Sequence, residues 1–351
     1  MGYRERERAL VSTDTAAGGE DTVVAGVDLR DPALARSVRD GMADVETALV
    51  AELSQGEDFL TEAALHLAKA GGKRFRPLFT LLTAQLGPQP TAEAVRTSAV
   101  VVELVHLATL YHDDVMDEAA MRRGATSVNA RWSNSVAILA GDYLFAHASR
   151  LTSTLGPDAV RVIAETFAEL VTGQMRETVG VTGDRDEVDH YLRVVWEKTG
   201  SLIATAGRFG GTFSGASDEQ IESLVRLGDA VGTAFQIADD IIDISSVAEQ
   251  SGKTPGTDLR EGVHTLPVLY ALRGSGPEAD RLRALLDGPV TDDDVLAEAL
   301  ALLGASTGMV EAKQTLAEYA RRAHAELEVL PAGPANDALA RLVDYTIARV
   351  G

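Results

Sequence analysis

The chain has 351 residues, 45% of them hydrophobic, which is enough apolar material for one large core or two ordinary ones. Its 32 basic and 53 acidic side chains give a formal net charge of −21 at pH 7. This negative charge argues against nucleic acid as a partner and suits a protein that binds metal cations. The lack of cysteine excludes disulfides, thiolate metal sites and a cysteine nucleophile.

The sequence carries no sign of export or membrane insertion. No apolar run reaches the ~18–20 residues that are needed to span a bilayer. The charged segment Arg4–Arg8 is not followed by an apolar stretch of the length found in signal peptides. We therefore expect a cytoplasmic protein without a transmembrane segment, and a transient contact with a membrane surface stays open.

The first segment, residues 1–29, mixes charged residues with Gly, Thr and Ser and has no sustained period, which predicts a flexible tail. Asp31 followed by Pro32 is typical of a helix start, with a capping residue and then proline at the first helical position. From Leu34 to Leu53 apolar residues recur every three or four positions, which predicts an amphipathic helix.

The helical period returns through most of the remaining chain. It covers Ala99–Tyr111, Val136–Leu151, Val160–Val171, Ile221–Ile244 and Val310–Leu327. The breaks fall at Gly, Pro or polar clusters, and no β-alternation is sustained over several segments. Residues 30–351 are therefore predicted to form one all-α domain, a bundle whose apolar inner helices are wrapped by outer ones.

Two acidic motifs of the form DDxxD are the features most informative about function. They are Asp113–Asp117 and Asp239–Asp243, each within an apolar stretch of helical spacing. Positions i and i+4 of a helix share one face and i+1 flanks them, so each motif presents three carboxylates from one patch. Six such groups would repel unless hard cations lay between them, and Mg²⁺ is usually completed by substrate phosphates. The motifs therefore predict a Mg²⁺–diphosphate site formed by Asp113, Asp114, Asp117, Asp239, Asp240 and Asp243.

Basic side chains lie near the first acidic motif in a chain otherwise short of positive charge. The segment Gly71–Pro77 contributes a cluster upstream of the motif. Arg122 and Arg123 follow the motif, where guanidinium groups can bind phosphate oxygens in bidentate fashion. His106 lies about two helical turns before Asp113 and returns to nearly the same face.

Taken in order, these motifs resemble those of trans-isoprenyl diphosphate synthases of the long-chain type. The shared motifs are GGKRFRP (71–77), HLATLYHDDVMD (106–117), RRG (122–124), KTG (198–200), FQIADDIID (235–243), GK (252–253) and GTDLREG (256–262). The resemblance implies a single-domain orthogonal, antiparallel helix bundle of the isoprenoid synthase type with a central elongation cavity. It also implies a prenyltransferase that condenses an allylic diphosphate head-to-tail with isopentenyl diphosphate.

The resemblance further implies a role for each motif residue. The six aspartates would hold about three Mg²⁺ ions on the allylic diphosphate. That diphosphate would also be contacted by Arg122, Lys198 and Lys253. The diphosphate of isopentenyl diphosphate would be bound by Lys73, Arg76, His106 and Arg123. Thr199 and Gln236 would lie beside the reacting carbons, and no general base is assigned, because the departing diphosphate can take the final proton.

One position departs from the family pattern. The family often has Lys after the Glu-Gly of GTDLREG, whereas Glu261-Gly262 is followed here by Val263 and His264. We expect one diphosphate contact to be missing or to be supplied by His264 or Arg260. The expected consequence is a change in affinity rather than a loss of activity.

Product length is expected to depend on residues just before the first acidic motif. The resemblance places Ala108 and Thr109 at the floor of the elongation pocket, and both are small. Helix geometry independently puts Thr109 one turn below Asp113 and Val105 a further turn away, whereas Ala108 lies off that line. No Phe or Tyr blocks this path, which favours an all-trans heptaprenyl to nonaprenyl product, such as a quinone side chain.

Three other functions fit parts of the same pattern. A geranylgeranyl diphosphate synthase is possible because deeper residues from other helices also set the floor of the pocket. A class I terpene cyclase would share the first acidic motif but would not need the GGKRFRP segment. A non-catalytic partner subunit of a heteromeric synthase would typically lack the aspartates, which are intact here. A homodimer is implied by the resemblance alone.

Overall fold

Helices make up most of the regular secondary structure of the protein. The computed structural model describes residues 22–56, 58–183, 185–245 and 255–350. Its helices are α1 (Pro32–Leu53), α2 (Asp58–Lys69), α3 (Phe75–Ala84), α4 (Glu93–Met116), α5 (Val128–Arg131), α6 (Asn134–Thr154), α7 (Pro157–Val179), α8 (Glu187–Val195), α9 (Ser201–Ser214), α10 (Asp218–Ser245), α11 (Thr257–Glu261), α12 (Leu266–Arg273), α13 (Pro277–Leu285), α14 (Asp293–Ala305), α15 (Thr307–Glu328) and α16 (Pro334–Ala348). A π-helical turn, Trp196–Gly200, joins α8 to α9. The all-α class predicted from the sequence is confirmed.

Two antiparallel hairpins of two-residue strands accompany the helices. Strand β1 (Val23–Val24) pairs with β2 (Val27–Asp28), and β3 (Met121–Arg122) pairs with β4 (Ala125–Thr126). The second hairpin directly follows the first acidic motif, so it fixes where the chain places the basic residues that come after it.

The first hairpin differs from the flexible tail predicted for residues 1–29. Val24, Val27 and Leu29 are buried, and Gly26 approaches the ring of Tyr345. Each strand is too short to produce an alternating pattern that a sequence reading can detect. Residues 22–29 are therefore packed against the helical body, and residues 1–21 lie outside the described part of the chain.

The first helix begins where the sequence predicts. The carboxylate of Asp31 accepts a hydrogen bond from the backbone N–H of Leu34 at 2.7 Å, and Pro32 occupies the first helical position. Proline suits that position because its missing N–H has no partner there in any helix.

Helices α4 and α10 form the centre of the bundle. Helix α4 packs against α3, α6 and α9, and α10 packs against α9 and α15. The apolar side chains of α10 belong to two core clusters, with Leu227 and Val231 in the first and Ile237 and Ile241 in the second. Helix α4 belongs to the first cluster. The acidic motifs lie near the C-terminal ends of α4 and α10, in a stretch of α4 that packs in the first cluster and a stretch of α10 that packs in the second.

Helix α4 is also long and apolar enough to cross a membrane. Among the described helices it passes that test alone, and the bent pair α14 and α15 passes it jointly. However, 67% of the apolar window of α4 is buried inside the protein, as in the core helix of a folded bundle.

Glycine permits the close approach of α9 and α10. A Cβ atom added at Gly228 would lie 2.5 Å from the Cα of Ala204. We predict that Gly228→Ala lowers the free energy of unfolding by about 1–3 kcal/mol, because the added methyl group pushes two packed helices apart.

The matched control is Gly304→Ala in α14, where an added Cβ meets no atom within 4 Å. This change should leave stability unchanged or raise it slightly, since alanine restricts the unfolded chain. Urea unfolding of both variants measures the difference, and equal stabilities would contradict the close contact between α9 and α10.

Candidate active site

The first acidic motif occupies the end of α4. Asp114 is fully buried, and its Oδ1 accepts a hydrogen bond from Nε of Arg122 at 2.5 Å. Another nitrogen of Arg122 lies 3.7 Å from Asp117, which caps the helix. The other oxygen of Asp114 is buried without a hydrogen-bond partner among the described residues. The hairpin β3–β4 therefore supplies one counter-charge and leaves an acceptor free for a cation.

The second acidic motif occupies the last turns of α10. Asp240 is buried and accepts hydrogen bonds from the hydroxyl of Tyr191 and from Nε2 of Gln236, the latter at 2.9 Å. Asp239 lies 2.6 Å from a guanidinium nitrogen of Arg349, just beyond α16. Asp243 accepts backbone N–H groups at the start of α11, at 3.2 and 3.3 Å. Each carboxylate of the motif is thus oriented by a different element.

Burial makes the ionised forms of Asp113 and Asp240 costly. It raises the pKa of Asp113 to about 6, against the opposing effect of the Lys198 ammonium, and the neighbouring charge of Asp117 raises it further. Burial likewise raises the pKa of Asp240 to about 7, although Tyr191 donates a hydrogen bond to it. A nearby cation would favour the charged forms.

The donor set fits a hard cation such as Mg²⁺ or Ca²⁺, because every candidate ligand is a carboxylate oxygen. Within the described ranges, no three His, Asp or Glu side chains already converge in the geometry of a metal site. This arrangement suits a metal whose remaining ligands come from water and a bound phosphate.

Lys198 and Thr199 lie on the π-helical turn between α8 and α9. The Lys198 ammonium forms an ion pair with Glu177 of α7. The hydroxyl of Thr199 donates to Oε1 of Gln236 at 3.3 Å, and Gln236 in turn donates to Asp240. The KTG motif and the second acidic motif are therefore connected directly.

A second polar cluster lies at the start of α3, beside α4. The guanidinium of Arg123 donates to the backbone carbonyl of Gly71 at 2.6 Å and lies 3.4 Å from Nε2 of His106. Burial lowers the pKa of Arg76 to about 10, and its Nε has no hydrogen-bond partner in the part of the chain that the structure describes. Lys73 lies apart from these groups, 5.9 Å from the ring centroid of Tyr345. The cluster offers one unsatisfied donor, Nε of Arg76, beside further cationic groups for an anion.

Sequence reasoning missed the acidic residue at the centre of this cluster. Glu103 is almost fully buried and lies 2.9 Å from Arg74 and 3.9 Å from Arg123. Arg74 also pairs with Glu46 at 2.9 Å. The sequence feature that could have indicated Glu103 is its position as an acidic residue inside the apolar run of α4, three positions before His106.

Two cavities meet at Lys198. One, of 420 Å³, is bordered by Thr199, Gln236, Asp240 and His264 among others. Val263, which stands where the family often has Lys, borders the same cavity. Lys253 lies outside the described residues.

The other cavity, of 620 Å³, begins at Asp113 and is bordered largely by apolar side chains. Thr109 borders it, as helix geometry predicts. Val105 and Ala108 are fully buried in the core and expose no surface to it, so their part in setting product length stays a prediction. Its apolar wall comes mainly from α7, through Phe167, Leu170, Val171, Met175 and Val179.

The neutral state of His106 has a consequence for stability. Burial, together with Arg76 and Arg123, lowers the pKa of His106 well below its ordinary value of 6.5. The unfolded chain takes up this proton below about pH 6.5 whereas the folded chain does not, so stability is lost as the pH falls below that value.

We predict that wild-type protein loses more stability than His106→Gln between pH 7 and pH 5, by up to about 1.4 kcal/mol per pH unit. Denaturant unfolding of the two proteins across this range, with a chelator present, measures the difference. Parallel losses in both proteins would show that His106 titrates normally when folded.

Comparison with known proteins identifies the family of the chain. The polyprenyl synthetase family model matches residues 57–303. The chain is 64% identical to nonaprenyl diphosphate synthase of Mycobacterium tuberculosis over 330 residues, which cover 94% of this chain and 98% of that protein.

Solved structures show the same fold. A geranylgeranyl pyrophosphate synthase from Corynebacterium glutamicum, complexed with calcium and isoprenyl diphosphate, superposes with a TM-score of 0.83 at 55% identity, covering 92% of this chain and 98% of that one. A decaprenyl diphosphate synthase from Rhodobacter capsulatus superposes with a TM-score of 0.82 at 32% identity, covering 91% and 99%. With its paired acidic motifs on α4 and α10, this chain belongs to the polyprenyl synthetase family.

Proposed function

We propose that the protein is an all-trans polyprenyl diphosphate synthase that adds isopentenyl diphosphate to an allylic diphosphate and makes a long-chain product. The observation that supports this proposal is a pair of separate polar clusters, each suited to one diphosphate. One is formed by the acidic ends of α4 and α10 with Lys198, and the other by Arg76, His106 and Arg123. A terpene cyclase, which uses one diphosphate, has no need of the second site.

The reaction follows from the placement of charge. The six aspartates would hold Mg²⁺, and the bound metal would neutralise the negative charge of the diphosphate as it leaves. Arg122 and Lys198 stabilise the negative charge that develops when the allylic C–O bond breaks with its electron pair. The double bond of isopentenyl diphosphate then attacks the allylic carbon, and the departing diphosphate accepts the proton released. No side-chain nucleophile takes part.

The apolar cavity supports a long product. It excludes water from the allylic cation and offers a path for the hydrocarbon that begins beside Asp113. Thr109, at the first turn of this path, is too small to close it. The identity of 64% to a nonaprenyl diphosphate synthase favours a product near that length, while a geranylgeranyl product, named for the Corynebacterium glutamicum relative, remains the second candidate.

The test is an incubation of the full chain with Mg²⁺, isopentenyl diphosphate and, separately, dimethylallyl, farnesyl and geranylgeranyl diphosphate, with products sized by mass spectrometry. A ladder that ends between heptaprenyl and nonaprenyl diphosphate, and that disappears with chelator, is expected. Termination at geranylgeranyl diphosphate would overturn the long-chain assignment alone. A cyclic hydrocarbon made without isopentenyl diphosphate would overturn the synthase.

Exchanging single residues on α4 tests which side chain controls length. We predict that Thr109→Phe shortens the product by several isoprene units, because the ring enters the 620 Å³ cavity one turn below Asp113. Ala108→Phe places the same ring in the packed core, so it should cost stability by about 1–3 kcal/mol and shorten the product less. A shorter product from Ala108→Phe than from Thr109→Phe would instead support the floor that the family resemblance implies.

We also propose that the protein is a homodimer. Ile138, Leu139, Met175 and Val179 are exposed apolar side chains on α6 and α7, and three of them border the open side of the 620 Å³ cavity. Exposed apolar surface of this kind is typical of an interface between subunits. A second copy seated there would also shield the growing hydrocarbon from water.

Leu139→Glu should convert the dimer to a monomer, because it places a charge in an apolar contact. Light scattering after size exclusion measures the mass. The control is Val329→Glu, which changes a comparably exposed apolar side chain just beyond α15 and should leave the mass unchanged. A dimer that persists in Leu139→Glu would move the interface elsewhere, and a monomeric wild type would contradict the homodimer.

A further inference from the structure

The π-helical turn that carries Lys198 and Thr199 contains a buried charge that the reaction does not use. Glu197 precedes Lys198, and its side chain has no exposed surface. An isolated ionised carboxylate in such a position is costly. Its position next to Lys198 and Thr199 therefore indicates a specific role.

Two arginines neutralise this carboxylate. Arg176 of α7 donates from Nε at 2.8 Å and from Nη2 at 3.2 Å, and Arg193 of α8 donates from Nε at 2.6 Å. Burial alone would raise the pKa of Glu197, but these bonds outweigh burial and hold the pKa below its ordinary value. Glu197 is therefore ionised and joins α7 to α8 through the turn.

The turn departs from regular helix at the same residue. The backbone N–H of Ser201 bonds to the carbonyl of Trp196, five residues earlier. In an α-helix the Ser201 N–H would donate a hydrogen bond to the carbonyl of Glu197. Here that carbonyl instead accepts a hydrogen bond from the Ser201 hydroxyl at 2.8 Å. Short π-helical turns inside α-helices are costly and occur frequently at functional sites.

The neighbouring helices leave the turn little room to move. A Cβ atom added at Gly173 of α7 would lie 2.7 Å from the Cβ of Glu197 and 2.9 Å from the Cγ of Lys198. On the α10 side, Asp229 accepts the indole N–H of Trp196 at 2.8 Å. The turn is thus held between α7 and α10 with Lys198 and Thr199 facing the two cavities.

We propose that Glu197 is a positioning residue: its ion pairs with Arg176 and Arg193 hold the π-helical turn so that Lys198 meets the allylic diphosphate and Thr199 stays bonded to Gln236. The inference rests on the proposed function, because it assigns Lys198 to the allylic site. Glu197 acts through its neighbours and does not touch substrate.

The test compares Glu197→Gln with wild type in steady-state kinetics with a farnesyl diphosphate primer. The change keeps side-chain volume and removes the charge. We expect kcat to fall about tenfold and KM for the allylic substrate to rise several-fold, because small displacements of a binding group are costly in rate. KM for isopentenyl diphosphate should stay within about twofold, since its site lies on α3 and α4. Glu197→Asp, which keeps the charge, should recover part of the loss.

If Glu197 had a purely structural role, Glu197→Gln would lower the melting temperature, and the KM values of the two substrates would not change differently. The control is Glu165→Gln, which breaks the exposed Arg161–Glu165 pair on α7 and should change neither kinetics nor stability. If Glu197→Gln does not fold, Arg193→Gln, at a half-exposed position, removes one of the same ion pairs and should shift allylic KM and kcat in the same direction.

Wild-type kinetics in the folded Glu197 or Arg193 variants, or equal changes in both KM values, would overturn this inference and leave the proposed function intact. A wild-type protein that makes no prenyl diphosphate with any primer would overturn the proposed function and this inference with it.

Discussion

Like charges held close together in a half-buried site are the constraint on which the rest of this structure depends. The ends of α4 and α10 carry six carboxylates, and burial raises the pKa of two of them, Asp113 and Asp240. Guanidinium groups from other elements lie beside two more carboxylates: Arg122 at Asp114, and Arg349 at Asp239. These partners neutralise only part of the charge. In the proposed function the remaining acidity attracts metal cations and, through them, a diphosphate.

In the cationic cluster at α3, positive charges rather than carboxylates are held close together. Arg76 and Arg123 lie close enough to lower the pKa of His106, and such groups repel one another when no anion is bound. Glu103, buried between the arginines, lowers this repulsion in the empty site. In a chain of net charge −21, grouping cations around one acid concentrates binding for an anion at a single place. The two proposed anion sites would therefore be opposite in construction, one acidic and completed by metal, the other basic and needing none.

The parts of this architecture that follow local rules could be predicted from the sequence. Helical periodicity located α1, and the DDxxD spacing located the acidic ends of α4 and α10, because both depend on residues within a few turns. The parts that depend on distant contacts could not. Arg193, four residues before Glu197, is a local partner, but nothing local to Glu197 indicates Arg176 of α7, and nothing near Arg349 indicates Asp239. The hairpin at residues 22–29 was not predicted for a different reason, because two-residue strands are too short to show an alternating hydrophobic pattern.

In the proposed function, one face of α4 links the chemistry to product length. Asp113 and Thr109 are four residues apart on α4 and both border the cavity, whereas Ala108 is turned into the core by one-residue rotation of about 100°. In the proposed reaction the hydrocarbon starts where the diphosphate leaves and extends along the face of α4 that carries Asp113. Because α7 supplies much of the opposite apolar wall and also packs against the turn bearing Lys198, a shift of α7 would alter cavity and diphosphate site together. The proposed anchoring of that turn by Glu197 would therefore affect both rate and product length.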